Sequence, residues 1–295
     1  MTNKRVLGFI GGSGVYDIES LEDARKEMVE TPWGAPSDDL VTGRIDGVDV
    51  VFLARHGAGH RLTPSAVNYR ANIDAMKRIG VTDVISISAC GSFREDLPPG
   101  KFAIVDQFID RTTDREKSFF GPGFVAHVSM AEPVCAALGD ALEKACAATD
   151  VSAARGGTYL CIDGPQFSSL AESNLYRSWG ADVIGMTNMP EAKLAREAEL
   201  PYATLAMVTD YDCWHADEGA VEVANVLEVM AENSRKAHRV VGAVAAILGP
   251  ERQNCAQGIE TCLDFGVITA PEARDPEMVK RLDVVAGRFL AAHSA

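Results

Sequence analysis

Residues 206–214 read Ala-Met-Val-Thr-Asp-Tyr-Asp-Cys-Trp, an apolar run that ends in two aspartates separated by one residue. The run is typical of a buried strand, and alternate positions of an extended chain point to the same side. We therefore expect Asp210 and Asp212 to present their carboxyl groups to one place beside a strand end. Close like charges and apolar neighbours raise carboxyl pKa values, so one of the two should keep a proton near neutral pH. The stretch indicates an acid–base site, although an isolated pair of this kind is more often solvated surface charge.

Alternating strand and helix patterns extend along most of the chain. The patterns predict strands over residues 6–10, 48–54, 84–89, 104–108, 158–162, 182–186 and 202–209. They predict helices over residues 64–79, from 133, from a capping box of Ser169 and Glu172, and over 190–199 and 220–247. Repeated units of this kind predict an α/β fold, a single domain in which helices flank a central mixed, largely parallel sheet. Ligands of such folds bind at the strand ends.

The sequence also predicts how the domain ends. Residues 1–250 hold the repeated units and form the main domain. After Gly249-Pro250 a polar segment leads to an amphipathic helix with Met278, Leu282, Val285 and Phe289 at apolar positions. We therefore expect residues 251–295 to be a C-terminal helical extension that packs on the same domain or on a neighbouring subunit.

Composition excludes several classes of partner. The chain has 28 basic and 42 acidic residues, a net charge of −14, which argues against nucleic acid or an anionic membrane surface. No apolar run approaches the roughly 20 residues of a membrane helix. The N-terminal apolar run is broken at Gly11-Gly12, so we expect no signal peptide. Seven cysteines without a CxxC pair indicate reduced thiols and a cytoplasmic protein, although Cys255 and Cys262 could pair in principle.

Polar residues follow several of the predicted strands. The glycine-rich turn that contains Ser13 offers backbone N–H groups to an anion, or is simply a tight turn. Arg55-His56 follows residues 48–54, and a guanidinium fork can bind two oxygens of an oxyanion, whereas a lone Arg-His is more often surface charge. Ser88 and Ala89 end another strand, beside small residues that leave room for a ligand.

These residues belong to motifs that together are highly specific. The landmarks are Gly-Gly-Ser-Gly, Leu-Ala-Arg-His-Gly, Ser-Ala-Cys-Gly-Ser, Asp-Gln-Phe-Ile-Asp-Arg-Thr, Met-Ala-Glu-Pro, Gly-Pro-Gln-Phe-Ser-Ser and Thr-Asp-Tyr-Asp-Cys-Trp. With them, the sequence closely resembles the trimeric purine nucleoside phosphorylase family, and within it the branch that acts on methylthioadenosine. The resemblance covers residues 6–245 and is less clear beyond Gly249.

The resemblance implies a fold and a reaction. Residues 1–250 would form a nucleoside phosphorylase catalytic domain. Phosphate would attack the anomeric carbon of S-methyl-5'-thioadenosine, releasing adenine and S-methyl-5-thio-α-D-ribose 1-phosphate, a step of methionine and purine salvage. The resemblance implies no metal and no organic cofactor, since inorganic phosphate is a co-substrate.

The family's reactive residues carry over by motif. The implied phosphate ligands are Ser13, Arg55, His56, Ser88, Thr187 and the backbone of Ala89. Asp210 would carry a proton to the purine imidazole nitrogen, and Asp212 would accept a hydrogen bond from the exocyclic amine. Protonating the purine makes it a better leaving group, and an anion beside the ribosyl ring stabilises the positive charge that develops there.

The other contacts to the nucleoside are also implied by the resemblance. Phe167 would stack on the base, and Met186 would lie beside the ribose hydroxyls. The apolar wall around the methylthio group would consist of Val223, Val226 and Leu227. His127 matches a residue that one subunit donates to the site of its neighbour, so we expect a homotrimer.

The chain departs from the family pattern in two places. Ser13 stands where the family usually has threonine, and this change keeps the hydroxyl group. Asp163 and Gln166 stand where the family often has glutamate and arginine, so the surroundings of the base pocket differ from those of most members.

Other kinds of protein share parts of this pattern. An Asp-x-Asp pair also suits a metal-dependent enzyme, because hard cations prefer carboxylate oxygens. A nucleoside hydrolase would use water in place of phosphate. A broader purine nucleoside phosphorylase would accept adenosine or methylthioinosine, and a ligand-binding module on the same fold would catalyse nothing.

Overall fold

The computed structural model describes residues 4–12, 20–215 and 223–293. Its strands are β1 (Val6–Gly11), β2 (Glu22–Glu27), β3 (Leu40–Ile45), β4 (Val48–Ala54), β5 (Asp83–Ser92), β6 (Phe102–Val105), β7 (Gln107–Asp110), β8 (Ala153–Arg155), β9 (Thr158–Cys161), β10 (Val183–Gly185) and β11 (Tyr202–Asp210). Its α-helices are α1 (Tyr69–Arg78), α2 (Ala136–Ala148), α3 (Leu170–Ser178), α4 (Asn188–Glu197), α5 (Val223–Leu248), α6 (Leu263–Gly266), α7 (Pro276–Arg281) and α8 (Gly287–Ala292).

All of these strands belong to one sheet, whose main path is β2-β3-β4-β1-β5-β10-β9-β7. β1 lies between β4 and β5 and is parallel to both, and β11 is parallel to β5 on its other side. The outer strands β2 and β3 and the β6–β11 pair are antiparallel, so the sheet is mixed. The carboxyl ends of β1, β4, β5 and β11 therefore meet at one edge, where polar groups from separate parts of the chain converge.

Helices cover both faces of the sheet. On one face, α1 and α4 bury residues such as Ile73 and Leu194 against the strands. On the other face, α2 and α5 bury residues such as Leu142 and Val240. β11 is buried from Tyr202 to Thr209 because helices cover it on both sides, which explains its continuous apolar sequence. The α/β class and the flanked mixed sheet predicted from the sequence are confirmed.

The C-terminal segment packs against the first of these faces. Leu263, Leu282, Val285 and Phe289 lie in the same hydrophobic cluster as α1 and α4. The single amphipathic helix expected there is wrong, because α7 and α8 are two short helices separated by residues 282–286. The division into residues 1–250 and 251–295 stays a prediction. Among the described helices, none combines the length and the apolar character needed to cross a bilayer.

Several boundaries differ from the predicted ones. The helix predicted over residues 64–79 begins only at Tyr69, because Asn68 caps it by accepting the Ala71 N–H. The strand predicted over residues 104–108 divides between β6 and β7. The sequence missed β2 because its residues Glu-Asp-Ala-Arg-Lys-Glu are exposed along their whole length and show no apolar alternation.

Candidate active site

Asp210 is the last residue of β11 and lies beside Gly91 of β5. The register between the two strands shifts by one residue just before Asp210, a bulge that redirects its side chain. A Cβ atom on Gly91 would lie 2.7 Å from Asp210 Oδ1, so the carboxyl group occupies space that only glycine leaves open. The Thr209 hydroxyl donates to Asp210 Oδ2 over 2.7 Å. The Asp210 carboxyl is therefore held in one orientation.

Asp212 does not lie on the strand, which corrects the alternation argument. β11 ends at Asp210, and Asp212 has a left-handed φ of 53° in the turn that follows. This turn directs the Asp212 N–H to Asp210 Oδ1, at 2.8 Å. The two carboxyl groups are brought together by that hydrogen bond and not by the period of a strand.

The pKa values of both carboxyl groups are raised above the ordinary value of an aspartate. Burial raises the pKa of Asp210, while the Thr209 hydroxyl and the Asp212 N–H oppose the rise. Burial also raises the pKa of Asp212, and the nearby Asp210 charge adds to that rise. The direction agrees with the expectation of a proton retained at this site.

Unpartnered polar atoms surround Asp212. Within the described ranges, Asp212 Oδ2 and the hydroxyl oxygens of Ser168 and Ser173 are buried without a hydrogen-bond partner. Both hydroxyls lie close enough to oppose the rise in the Asp212 pKa. Buried polar atoms without a well-formed hydrogen bond are uncommon, so this group of residues is the candidate ligand site. We call Asp210, Asp212, Ser168 and Ser173 the aspartate cluster.

Sequence reasoning missed the two serines of this cluster. Ser168 lies within the Gly-Pro-Gln-Phe-Ser-Ser motif, which was a signal for it. Ser173 lies on α3 and is fully buried. Its position on the inward face of a helix that begins at the Ser169 capping box was the available signal, and the structure contains that capping box.

The Arg55 guanidinium is bound by other groups of the protein. The fully buried guanidinium binds the Glu191 carboxylate twice, from Nε at 2.7 Å and from Nη2 at 3.0 Å. Nη1 and Nη2 also donate to the carbonyls of Ile87 and Ile10, and Nη2 donates to the Ser86 hydroxyl. The guanidinium therefore forms its bidentate ion pair with a carboxylate of the protein and not with an anion from solution. Phosphate binding by Arg55 stays a prediction that this ion pair does not favour.

A chain of hydrogen bonds leads from this ion pair to Ser88. The Ser88 hydroxyl donates to Asn188 Oδ1 over 3.1 Å, and Asn188 Nδ2 donates to the Tyr202 hydroxyl over 3.1 Å. The Tyr202 hydroxyl donates to Glu191 Oε1 over 2.9 Å. We call Arg55, Glu191, Tyr202, Asn188 and Ser88 the ion-pair cluster. Glu191 and Asn188 were not found from the sequence, since nothing local to α4 shows which cation or hydroxyl they meet.

His56 is a neutral hydrogen-bonding group. Burial and the Arg55 charge lower its pKa from 6.5 to about 4. Its Nδ1 lies 2.9 Å from the Leu62 carbonyl oxygen, which only accepts, so Nδ1 carries the proton. Nε2 is then a hydrogen-bond acceptor.

The structure gives fewer contacts for the other predicted phosphate ligands. Thr187 is buried before α4, and its hydroxyl has no hydrogen-bond partner in the described part of the chain. Ala89 lies on β5 opposite Met207 of β11. Ser13 lies outside the described residues.

Phe167 and Met186 lie on loops beside the aspartate cluster. Phe167 follows a cis Gly164-Pro165 bond and is 43% exposed. The Met186 carbonyl accepts Arg115 Nη1 over 2.7 Å. Arg115 also binds the Asp163 carbonyl over 2.9 Å, so it ties these two loops together. Asp163, one of the departures from the family pattern, accepts the Thr113 N–H and hydroxyl and fastens a third loop.

The apolar wall and His127 are not assembled with the other residues. Val223 and Leu227, at the start of α5, are 61% and 63% exposed, and Val226 is half-buried. His127 is exposed and lines a cavity of about 390 Å³ together with Lys117 and Glu197. None of the residues that line this cavity belongs to the aspartate cluster or the ion-pair cluster. Residues 4–12, 20–215 and 223–293 contain no group of three or more His, Cys, Asp or Glu side chains that could bind a metal ion.

Comparisons with known proteins identify the family of the chain. The model of the phosphorylase superfamily matches residues 6–246. The chain is 58% identical to the S-methyl-5'-thioadenosine phosphorylase of Cereibacter sphaeroides, over 97% of this chain and 99% of the relative. It is 59% identical to the enzyme of the same name from Rhodospirillum rubrum, over 97% of each chain.

Two solved structures extend the comparison. A methylthioadenosine phosphorylase sourced from an antarctic soil metagenomic library has a TM-score of 0.90 and 47% identity, over 96% of this chain and 99% of that one. The methylthioadenosine phosphorylase of Schistosoma mansoni, in complex with adenine, has a TM-score of 0.81 and 37% identity, over 87% and 96% of the two chains.

Proposed function

The chain belongs to the phosphorylase superfamily, and we propose that it cleaves S-methyl-5'-thioadenosine with inorganic phosphate. The products are adenine and S-methyl-5-thio-α-D-ribose 1-phosphate, so the enzyme is a pentosyltransferase of purine and methionine salvage. The observation that carries the proposal is the aspartate cluster, a buried pair of carboxyl groups whose pKa values are raised and whose neighbouring polar atoms have no partner. The family and the reaction expected from the resemblance are confirmed by the named relatives.

Asp210 and Asp212 divide the work on the base. Asp210, whose pKa is raised by burial, carries a proton to the purine imidazole nitrogen, so that the departing base leaves without accumulating negative charge. Asp212 Oδ2 accepts a hydrogen bond from the 6-amino group, which satisfies an oxygen that otherwise has no partner. Phe167 covers the face of the base, and Met186 lies beside the ribose.

Phosphate binds at the ends of β4 and β5. The hydroxyls of Ser88 and Thr187 and the backbone of Ala89 supply contacts, with Ser13 as a further ligand. His56 Nε2 accepts the P–OH hydrogen of the phosphate, because neutral His56 offers an acceptor there. Arg55 positions the strands that carry this site, because it donates hydrogen bonds to the Ser86 hydroxyl and to two backbone carbonyls.

The remaining assignments concern the sugar's 5' end and the assembly. Val223, Val226 and Leu227 form an apolar wall for the methylthio group, and their exposure leaves them free to contact it. His127 reaches the site of a neighbouring subunit in a homotrimer. Its position away from the aspartate cluster of its own chain supports this role. A monomeric mass at working concentration, measured by light scattering together with full activity, would contradict the trimer.

Phosphate dependence tests the proposed reaction. Purified protein is incubated with methylthioadenosine, with and without inorganic phosphate, and adenine is measured by chromatography. We expect adenine release to require phosphate and to persist after exhaustive chelation of metals. Release at an undiminished rate in phosphate-free buffer would show a nucleoside hydrolase, and loss of activity on chelation would show a metal-dependent enzyme.

A second candidate is a broader phosphorylase that also accepts adenosine. The exposed wall favours it, and one structural neighbour is named an adenosine/methylthioadenosine phosphorylase. An apolar pocket rejects an added hydroxyl by only about 10²-fold. We expect methylthioadenosine to be the better substrate within that limit. Equal values of kcat/KM for the two nucleosides would refute the wall formed by Val223, Val226 and Leu227.

A further inference from the structure

Two buried cysteines that are distant in the sequence have their sulfur atoms in contact. Cys135 Sγ and Cys255 Sγ are 2.7 Å apart, although 120 residues separate them in the chain. Cys135 immediately precedes α2, and Cys255 lies in the segment that follows α5. The side chains are 3% and 6% exposed, and neither belongs to the proposed catalytic site.

Backbone hydrogen bonds hold both cysteines in place. The Cys135 N–H donates to the Tyr202 carbonyl of β11 over 2.9 Å. The Cys255 N–H donates to Glu260 Oε1 over 2.7 Å, and Arg252 Nη2 donates to the same oxygen. The approach of the two sulfurs is therefore set by the sheet on one side and by an ion-paired turn on the other.

We propose that Cys135 and Cys255 form a reversible disulfide that fastens the C-terminal segment to the main domain, with a hydroperoxide as the two-electron oxidant. The bond would close a loop from Cys135 to Cys255. Such a loop removes conformational freedom from the unfolded state.

Cys135 is the attacking sulfur. Cys255 Sγ lies 2.7 Å from both Cys135 Sγ and Gln257 Oε1. Its contact with Cys135, together with the Leu138 and Ala137 N–H groups at the start of α2, lowers the pKa of Cys135. The same contact raises the pKa of Cys255, which keeps its proton. The Arg196 guanidinium lies near both sulfurs and stabilises a thiolate there.

The oxidation balances in two steps. The Cys135 thiolate attacks one peroxide oxygen, the O–O bond breaks, and the leaving hydroxide takes a proton and departs as water. The Cys255 sulfur then attacks the sulfenic acid on Cys135, the S–O bond breaks, and the hydroxyl leaves as a second water with the Cys255 proton. Two thiols and one hydrogen peroxide yield one disulfide and two waters. A dithiol reverses the change by thiol–disulfide exchange.

The structure favours this pair over the one considered from the sequence. Cys262 Sγ contacts the Arg196 carbonyl oxygen at 3.2 Å, whereas Cys255 Sγ faces Cys135. Cys262 lies on the same segment as Cys255, so it provides a matched control for substitution.

The test uses the full chain under native conditions. Wild type, Cys255→Ser and Cys262→Ser are treated with hydrogen peroxide, alkylated, and digested with trypsin and a glutamate-specific protease. The second protease cuts at Glu260 and so separates Cys255 from Cys262. We expect a linked peptide that joins Cys135 to Cys255 in wild type and in Cys262→Ser, and none in Cys255→Ser. Dithiothreitol should release it.

Thermal unfolding tests the fastening role. The oxidised wild type and the oxidised Cys262→Ser variant should unfold a few degrees above their reduced forms, and Cys255→Ser should show no such rise. The half-exposed Cys213 reports in the same digests that the oxidant reached the protein. Oxidised Cys213 without a Cys135–Cys255 peptide overturns the disulfide, as does a Cys255–Cys262 link. A linked peptide without a rise in unfolding temperature overturns the fastening role.

Discussion

The ion-pair cluster and the aspartate cluster are both largely buried, but they differ in how their polar atoms are satisfied. In the ion-pair cluster, Arg55 binds Glu191 with two hydrogen bonds, and Tyr202, Asn188 and Ser88 continue the chain without a break. In the aspartate cluster, Asp212 Oδ2 and two serine hydroxyls have no partner among the described residues.

The difference separates a group that holds the fold from a group that awaits a ligand. A fully satisfied buried network stabilises one arrangement of the chain, and loss of one member leaves the others unpaired. An incompletely satisfied network costs stability until a substrate supplies the missing hydrogen bonds. We therefore expect substitutions at the Arg55–Glu191 ion pair to act on folding, and those at Asp210 and Asp212 to act on catalysis.

The largest effect is expected in the ion-pair cluster. Glu191→Gln should lower the free energy of unfolding by about 3–5 kcal/mol, because it leaves the Arg55 charge buried without its counterion. Urea denaturation at neutral pH measures this. The control is Glu197→Gln, the same substitution on the same helix at a carboxylate bonded only to neutral donors. Equal losses in the two variants would show that the Arg55–Glu191 pair has no special role.

The next effect concerns Asp210 and is catalytic. Asp210→Asn should reduce kcat/KM for methylthioadenosine by at least about 10²-fold, because the proton source is lost. An asparagine amide can donate to a 6-oxo group, so the penalty against methylthioinosine should shrink. Steady-state kinetics with both nucleosides give the ratio, and urea denaturation should show little change. An unchanged ratio of kcat/KM for the two nucleosides would show that the aspartates do not select the base. Wild-type cleavage of methylthioinosine as fast as methylthioadenosine would show the same.

The stability that Glu197 contributes to the fold should depend on pH. Burial raises its pKa from 4.5 to about 7, against the opposing Ser118 hydroxyl and Phe119 N–H. The folded state therefore binds this proton more tightly than the unfolded state, and stability falls as the pH rises from about 4.5 to about 7. We expect a loss of about 2 kcal/mol from this group, within an upper limit of about 3 kcal/mol.

The Glu197→Gln variant isolates that contribution. Its amide oxygen can accept the Phe119 N–H while its NH₂ donates to Ser118, so the site stays hydrogen-bonded without a titrating group. Urea denaturation of wild type and variant at pH 5.5 and pH 8 gives the difference in pH dependence. The same pH dependence in both proteins would show that Glu197 titrates normally.

The smallest effect is expected at Gly91. In Gly91→Ala the new Cβ would meet Asp210 Oδ1, so the carboxyl group must move from its position at the bulge. We expect about a tenfold loss of kcat/KM with a smaller change in stability, because misplaced reacting groups lose rate steeply. Gly47→Ala, at a turn where a Cβ meets no atom within 4 Å but φ is 78°, controls for the loss of a glycine. If Gly91→Ala keeps full activity, the orientation of Asp210 does not depend on this contact.

Local sequence patterns were sufficient to predict many of the strands, and the motifs were sufficient to predict the reaction. The apolar run of β11, the Ser169–Glu172 capping box and Gly91 near the end of β5 all act through neighbours within a few residues. The sequence could therefore place Asp210 at a strand end and predict its raised pKa. The alternation argument failed at Asp212 because the chain leaves the strand after Asp210 and turns through a left-handed residue.

By itself the sequence determined the α/β class and the family, because these depend on apolar periodicity and on motifs that are contiguous in the chain. Only the tertiary structure decided that Arg55 binds Glu191, 136 residues away, and that Cys135 meets Cys255. Such pairings depend on the order of strands in the sheet and on which helix covers which face. A buried charge or thiol contacts whatever the packing brings to it, and its own sequence neighbourhood carries no record of that partner.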